Sequence, residues 1–149
     1  MSRDVFISYS SVDKNAALAV CEALERAGLK TWIAPRDIAA GRLWGESIIE
    51  AIGESRVFLI IFSSHSDQSH QVIREVERAA SRRLPILPVR IEEIAPSKAM
   101  EYYLSVPQWF DAFVPPLESH LGKVVENVLK LLGDPAAADA GRRSRAVVS

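Results

Sequence analysis

Short runs of apolar and β-branched residues recur along the chain and predict five β-strands. The runs lie at residues 4–8, 30–33, 57–63, 85–91 and 106–110. The third run, VFLIIFS, is apolar without polar alternation, which is typical of a strand covered on both faces of a parallel sheet. We therefore expect this strand at the centre of the sheet.

The segments between these runs have helical periodicity. In residues 13–29 the apolar positions fall on one stripe, Asp13 is placed to cap the start and Gly28 to end the helix. The same spacing predicts helices within residues 43–55, 71–83, 96–105 and 115–133. Strands that alternate with helices are joined by right-handed crossovers. The sequence therefore predicts an α/β, flavodoxin-like, doubly wound sheet of five parallel strands in the order 2-1-3-4-5, with helices on both faces.

A length of 149 residues fits one domain of ordinary size. We expect this domain to span residues 1–133. Residues 134–149 are rich in alanine, contain three arginines and lack periodicity, so we expect a flexible tail or linker there. Such a segment either leads to a sensor domain or forms a short natural terminus.

Composition excludes several classes of function. The net charge of −1 gives no electrostatic footprint for nucleic acid or for an anionic membrane. The single cysteine, Cys21, excludes an internal disulfide and is expected to be a small buried hydrophobe. Neither a secretory leader nor an apolar run of about 20 residues is present, so we expect a cytoplasmic protein without a membrane span.

The predicted topology also indicates where a ligand would bind. In an open α/β sheet, ligands bind outside the carboxyl ends of the strands, where the strand order reverses. Here that point lies between the first and third strands. Glu75 follows the loop after the third strand by about one helical turn, and helical side chains lean toward the helix N-terminus. We therefore expect the Glu75 carboxylate to reach back over this crevice.

Several familiar chemistries do not match the residues at these positions. A phosphorylated receiver domain needs acidic residues after the first strand and an aspartate ending the third, where this chain has Tyr9, Ser10 and Ser63. No glycine-rich phosphate loop and no nucleophile elbow occurs. His65, His70 and His120 lack the paired spacing of a zinc site, so no metal is expected.

Three segments form a recognisable set: VFISYSSVDK at the first strand, PRDIAAGRLWGESIIEAI after the second and SHQVIREVERA after the third. Together they resemble the Toll/interleukin-1 receptor (TIR) domain, in particular its bacterial branch. The likeness spans about residues 3–132 and rests on all three motifs in this order. It implies the same flavodoxin-like fold.

The resemblance implies two kinds of function. Many bacterial members cleave NAD+ at the nicotinamide–ribose bond, with NAD+ as substrate and no cofactor, and yield linear or cyclic ADP-ribose. They commonly become active on self-assembly and take part in defence signalling, under a C-terminal sensor domain or partner protein. Other members are adaptors that act through TIR–TIR association alone. We expect an NAD+ nucleosidase and keep the non-enzymatic adaptor as the alternative.

In the enzymes of this family the essential residue is a glutamate on the helix after the third strand, usually four residues after a tryptophan. The matching positions in this chain are Glu75 and Gln71, so this sequence departs from the family at the tryptophan. Glu75 is thus the expected catalytic residue, and Gln71 is expected to line the substrate pocket without an aromatic stacking surface.

The resemblance also implies substrate contacts from other loops. Tyr9 and Ser10 either line the pocket floor or pack beneath a loop, and Trp44 either stacks on a ring of the substrate or packs in the core. Asp37 and Arg42 lie in a loop that gates the pocket in this family and contacts neighbouring molecules. Either arginine of that loop, Arg36 or Arg42, is placed to meet phosphates, with surface charge as the simpler interpretation.

A single carboxylate suffices for this reaction. The nicotinamide of NAD+ carries a positive charge and leaves as a neutral molecule, so no acid needs to protonate it. What remains is an oxocarbenium-like ribose, which one nearby carboxylate stabilises. The competing interpretation is that Glu75 is a solvated partner of Arg74, Arg78 or Arg82. Glu46 and Glu50 are rival carboxylates, for which we expect surface or assembly contacts.

Overall fold

The computed structural model describes residues 3–105 and 108–133, and its centre is a parallel β-sheet. The strands are β1 (Arg3–Ser8), β2 (Thr31–Trp32), β3 (Ser55–Phe62), β4 (Ile86–Arg90) and β5 (Phe110–Asp111). All neighbouring strands are parallel, in the order β2-β1-β3-β4-β5. The predicted flavodoxin-like order is therefore confirmed, and β3, whose last six residues are buried, lies at the centre of the sheet.

Helices connect the strands in the predicted alternation. They are α1 (Lys14–Arg26), α2 (Trp44–Glu54), α3 (Ser64–Asp67), α4 (His70–Ser81), α5 (Lys98–Leu104) and α6 (Leu121–Leu132), with 3₁₀ turns at Ser11–Asp13 and Leu117–His120. Within residues 3–105 and 108–133, no helix has the length and apolar character needed to cross a bilayer.

Two elements differ from the sequence prediction. The fifth strand is Phe110–Asp111 rather than 106–110, and residues 106–107 lie outside the described part of the chain, as does the predicted tail at 134–149. The helix α3 lies where only a loop was predicted. It forms because the Ser63 hydroxyl accepts hydrogen bonds from the backbone amides of His65 and Ser66, while Ser66 Oγ accepts from the Ser63 amide.

The ends of α1 are held differently from one another. Asp13 occupies the N-cap position, but its carboxylate accepts a hydrogen bond from the Ser63 hydroxyl instead of capping the helix, so the predicted capping role is wrong. At the other end Gly28 adopts φ +88°, and its amide donates to the Glu25 carbonyl. The glycine thus ends the helix as predicted, because a left-handed backbone conformation costs glycine little.

The two faces of the sheet carry separate cores, and β1 contributes to both. Val5 and Ile7 pack with α1 and α6 on one face. Phe6 packs with α2 and α4 on the other face, and Ser8, two residues further along, points the same way. The alternation of β1 therefore delivers a hydroxyl, not a hydrophobe, to the α4 side at the carboxyl end of the strand.

Phe6 is the centre of an aromatic stack beneath this position. Its ring lies 5.0 Å from the Trp32 ring and 5.3 Å from the Phe58 ring, with interplanar angles of 8° in both pairs. All three side chains are buried. The stack joins β2, β1 and β3 on the face that carries α2 and α4.

We predict that Phe6→Ala lowers the free energy of unfolding by about 3–5 kcal/mol, because it removes a buried ring and leaves a cavity between two others. Urea unfolding followed by circular dichroism measures this loss. Tyr102→Ala is the matched control, since Tyr102 is 80% exposed, and should cost about 1 kcal/mol or less. Equal losses in the two variants would contradict a structural role for the stack.

Candidate functional site

Glu75 lies in the apolar stripe of α4. Val72, Val76 and Ala79 are buried on that stripe, and Glu75 stands between them with only 8% of its surface exposed. Ser69 caps the start of the helix, because its hydroxyl accepts a hydrogen bond from the Val72 amide. Because this stripe packs on the sheet, the Glu75 carboxylate points inward, toward the end of β1.

Two neighbouring side chains donate hydrogen bonds to the Glu75 carboxylate. The Ser8 hydroxyl donates to Glu75 Oε1 at 2.7 Å, and Gln71 Nε2 donates to Oε2 at 3.1 Å. No arginine in the described part of the chain forms an ion pair with Glu75. The interpretation of Glu75 as a solvated partner of surface arginines is therefore wrong, because the side chain is buried and bonded to neutral donors.

The surroundings of Glu75 alter its acidity and that of a neighbour. Burial raises the pKa of Glu75 above the ordinary value for a glutamate, and the hydrogen bonds from Ser8 and Gln71 offset part of this rise. Burial also raises the pKa of Tyr9, and the negative charge of Glu75 raises it further. Ionisation of Glu75 is thus costly in this site.

A first cavity, which we call the rim cleft, opens at the carboxyl ends of β1 and β2. It has a volume of about 390 Å³ and is lined by Tyr9, Ser10, Trp44, Gln71 and Glu75, among others. The Tyr9 hydroxyl donates to the Ala34 carbonyl and so joins the end of β1 to the segment after β2. Five of the seven residues predicted from the sequence to form the site therefore meet around one cleft.

The other two predicted residues do not line the rim cleft. Asp37 accepts a hydrogen bond from the Ile33 amide at 2.9 Å and pairs with Arg36, so it braces the turn after β2. Arg42 forms an ion pair with Glu50 at 2.8 Å. Arg36 is likewise occupied, by Asp37 and by Glu25 at 2.8 Å. These charges hold the loop between β2 and α2 rather than facing the cleft.

A second and larger cavity, the interhelical groove, runs between α2 and α4. Its volume is about 530 Å³. Trp44, Gln71 and Glu75 line both cavities, so the two spaces meet at the carboxylate. Ile48, Ile49 and Ile52 give the groove an apolar wall.

No group of three or more histidine, cysteine, aspartate or glutamate side chains suited to hold a metal ion occurs in residues 3–105 and 108–133.

Comparison with known proteins decides the family. The sequence profile described as the TIR domain matches residues 5–123, which is most of the chain. The chain belongs to the TIR domain family. No curated protein matches the sequence significantly.

Solved structures share the fold of this TIR domain. The TIR domain of the Toll-related receptor TRR-2 from Hydra magnipapillata is 21% identical with a TM-score of 0.72, covering 85% of this chain and 98% of that one. A metazoan TIR-STING receptor from C. gigas in complex with 2',3'-cGAMP is 20% identical with a TM-score of 0.66, covering 85% of this chain and 39% of that one. The CMP N-glycosidase BcmB from Clostridium botulinum is 15% identical with a TM-score of 0.60, covering 82% of this chain and 98% of that one. At these identities the matches concern the fold alone.

Sequence reasoning missed one important residue of this TIR domain, Ser8. The signal was present in the alternation of β1, because Phe6 and Ser8 must share a face and α4 covers that face. Lys14 and Ser69 also line the rim cleft without having been predicted. They come from the starts of α1 and α4, whose exact positions over the crevice depend on tertiary packing.

We predict that Ser8→Ala raises the pKa of Glu75 further, because it removes a donor that favours the ionised form. A hydrogen bond to an ionised group contributes about 1.5–3 kcal/mol. Carbon-detected NMR titration of glutamate-labelled protein measures the change. Ser10→Ala is the control, since Ser10 lines the same cleft but its hydroxyl accepts from the Val12 amide instead. An unchanged Glu75 titration in Ser8→Ala would contradict the assigned contact.

We also predict a pH-dependent gain in stability from Glu75→Gln. The pKa of Glu75 is raised in the folded state, so its proton favours folding, and this contribution is lost as the pH rises through the folded-state pKa. The variant should therefore melt above the wild type at pH 8, with the gap closing as the pH falls through that pKa. Calorimetry at a series of pH values measures this, with exposed Glu101→Gln as the control. If Glu75→Gln has a lower melting temperature than the wild type at every pH, the expected cost of burying the ionised carboxylate is contradicted.

Proposed function

We propose that this TIR domain cleaves NAD+ at the bond between nicotinamide and ribose, with Glu75 as the catalytic carboxylate. The observation that carries the proposal is a buried carboxylate at the junction of two cavities, held by Ser8 and Gln71. The TIR family membership supports it, since NAD+ cleavage is one of the two functions that the resemblance implies. The substrate is NAD+, and no cofactor takes part.

The chemistry requires little besides this charge. As the bond from ribose C1′ to the pyridinium nitrogen breaks, its electron pair leaves with the nicotinamide, which becomes neutral. Positive charge then develops on the ribose. A water molecule forms the new bond to C1′ and gives up a proton, which yields linear ADP-ribose, whereas capture of C1′ by a nucleophile of the adenosine half yields the cyclic product. An ionised carboxylate beside C1′ attracts this charge, and the attraction is stronger in a buried site than in water. Burial of Glu75 makes the charge costly before the reaction, and part of that cost is relieved as the opposite charge appears.

Ser8 and Gln71 act as positioning residues in this proposal. Each donates to a different oxygen of Glu75, so the carboxylate plane is held while its charge is only partly neutralised. Gln71 occupies the position of the family's tryptophan and supplies a donor in place of a ring. Trp44, which lines the same cleft, provides an aromatic surface from α2. Tyr9 and Ser10 form the floor of the cleft beside the ribose.

Two of the proteins with a similar fold indicate which other substrates to test. One fold relative is a CMP N-glycosidase, and another is a TIR-STING receptor that was solved with a cyclic dinucleotide. Cleavage of CMP releases a neutral base that needs a proton, so protonated Glu75 would be the active form and the rate would fall with rising pH. Cleavage of NAD+ uses the ionised form, so its rate should rise with pH through the raised pKa of Glu75. The two pH profiles therefore separate the substrates.

A second candidate function is that of a non-enzymatic adaptor acting through TIR–TIR association. The observation that favours it is the exposed apolar surface at the start of α2, where Leu43 is 66% exposed and Trp44 is 54% exposed. The two functions are compatible, because self-assembly would bring a neighbouring molecule to the edge of the rim cleft.

The proposed setting is cytoplasmic defence signalling under a C-terminal sensor domain or partner protein, as in the bacterial members that the sequence resembles.

We predict that concentrated or crowded protein releases nicotinamide from NAD+ and that Glu75→Gln lowers kcat by about 100-fold or more, as expected for loss of a preorganised charge. Chromatography of free nicotinamide measures the rate, and the product peak separates linear from cyclic ADP-ribose. Glu101→Gln, at an exposed position of α5, should retain the activity. Undiminished turnover in Glu75→Gln would move the chemistry elsewhere.

The adaptor function makes a different prediction in the same experiment. If the wild type forms assemblies by light scattering, Leu43→Asp prevents them, and neither protein cleaves NAD+, the adaptor function is supported and the enzyme proposal fails.

A further inference from the structure

The interhelical groove has two chemically different walls. The α2 wall is apolar and includes Ile48, Ile49 and Ile52. The α4 wall carries Arg74 and Arg78, which lie one helical turn apart. The groove runs from Trp44 and Gln71, at the rim of the sheet, toward Ser81 near the end of α4. It therefore combines a surface for a flat apolar group with two cations in a row.

The two arginines have no ionic partner in the described part of the chain. The ion pairs there engage other arginines, such as Arg36 with Glu25 and Arg42 with Glu50. Glu77, which also borders the groove, accepts a hydrogen bond from the Tyr103 hydroxyl of α5 at 2.8 Å. Both arginines are exposed. Residues one helical turn apart have Cβ atoms about 5–6 Å apart, so two long arginine side chains at this spacing can reach two linked phosphates.

The apolar wall contains a half-exposed hydrophobe, Ile49. Ile49 is 48% exposed although it faces a cavity beside buried Ile48 and Ile52. A planar base laid on this wall would cover it, while its phosphate reached the α4 wall. The volume of about 530 Å³ lies within the range of about 300–1,000 Å³ that small-molecule sites occupy.

We propose that the interhelical groove binds the adenosine-phosphate half of the dinucleotide whose nicotinamide-ribose half lies at Glu75. This inference rests on the proposed function and deepens it. Because Trp44, Gln71 and Glu75 border both cavities, a dinucleotide can pass the carboxylate and continue into the groove. Arg74, next to Glu75, contacts the phosphate of the nicotinamide half. Arg78, one turn further along α4, contacts the adenosine phosphate, and Ile49 packs on adenine.

Nicotinamide mononucleotide provides a sharp test, because it contains the same scissile bond but lacks the adenosine-phosphate half. Arg78→Gln and Ile49→Ala should each raise KM for NAD+ about tenfold and leave kcat/KM for nicotinamide mononucleotide unchanged. Arg74→Gln should weaken both substrates. Arg26→Gln is the matched charge control, since Arg26 is exposed on α1 and pairs with Glu22 on the opposite face of the sheet. Thermal melts establish that each variant is folded.

Each alternative outcome overturns the inference. Equal losses on both substrates would assign Arg78 to assembly of the protein rather than to the nucleotide, and light scattering would show the loss of assemblies. Unchanged kinetics on both substrates would leave the groove without a role.

A binding measurement separates this inference from failure of the proposed function. If the wild type cleaves neither substrate, titration of Trp44 fluorescence with millimolar ADP still tests the groove, with Trp44→Phe identifying the signal of this tryptophan. Saturable binding that Arg78→Gln weakens at least tenfold supports a nucleotide site without turnover. Absence of binding overturns it.

Discussion

The hydrogen bond from the Ser8 hydroxyl to Glu75 joins the end of β1 to α4 at the point where the two cavities meet. A carboxylate in an apolar stripe is costly to bury unless donors satisfy it. The sheet supplies one donor and the helix itself, through Gln71, supplies the other. The position of α4 on the sheet and the state of the carboxylate are therefore coupled, because a shift of the helix would break the bond that makes the burial tolerable.

A second set of interactions fixes the opposite side of the rim cleft. Arg36 reaches from the segment after β2 to Glu25 on α1, and its neighbour Asp37 accepts from the backbone of Ile33. The Thr31 hydroxyl donates to Glu25, and this hydrogen bond is the main cause of the lowered pKa of Glu25. The first part of the β2–α2 connection is thus anchored to α1, whereas its later part, around Gly41 and Leu43, is exposed. The anchored part of the connection therefore shapes the cleft, and the exposed part is accessible to other molecules.

Much of this architecture could be predicted from the sequence, for identifiable reasons. The unbroken apolar run of β3 indicated a central strand covered on both faces, and the alternation of strands and helices indicated a doubly wound parallel sheet. The strand order itself was taken from the flavodoxin-like arrangement that is common for five such strands. Glu75 could be placed over the crevice from the lean of helical side chains. Its burial was also visible in the spacing, since Val72, Glu75, Val76 and Ala79 follow the i, i+3, i+4, i+7 pattern of a buried stripe.

Other features could not be predicted, because they depend on competition between partners. Asp13 was expected to cap α1, but its carboxylate instead accepts a hydrogen bond from the hydroxyl of Ser63, which is distant in sequence. Asp37 and Arg42 bear charges suited to a ligand, yet each finds a partner within its own loop or on α2. The interhelical groove exists only through the separation of α2 and α4, a quantity that periodicity does not contain.

The departure at Gln71 has a consequence for how the carboxylate behaves over a range of acidity. An amide has a donor end and an acceptor end, and rotation by half a turn exchanges them. When Glu75 is ionised, the NH₂ group of Gln71 faces it, as found here. When Glu75 takes up a proton, the turned amide offers its carbonyl oxygen to the new O–H. An indole ring has a donor only, whereas the amide of Gln71 has the groups to pair with Glu75 in either state.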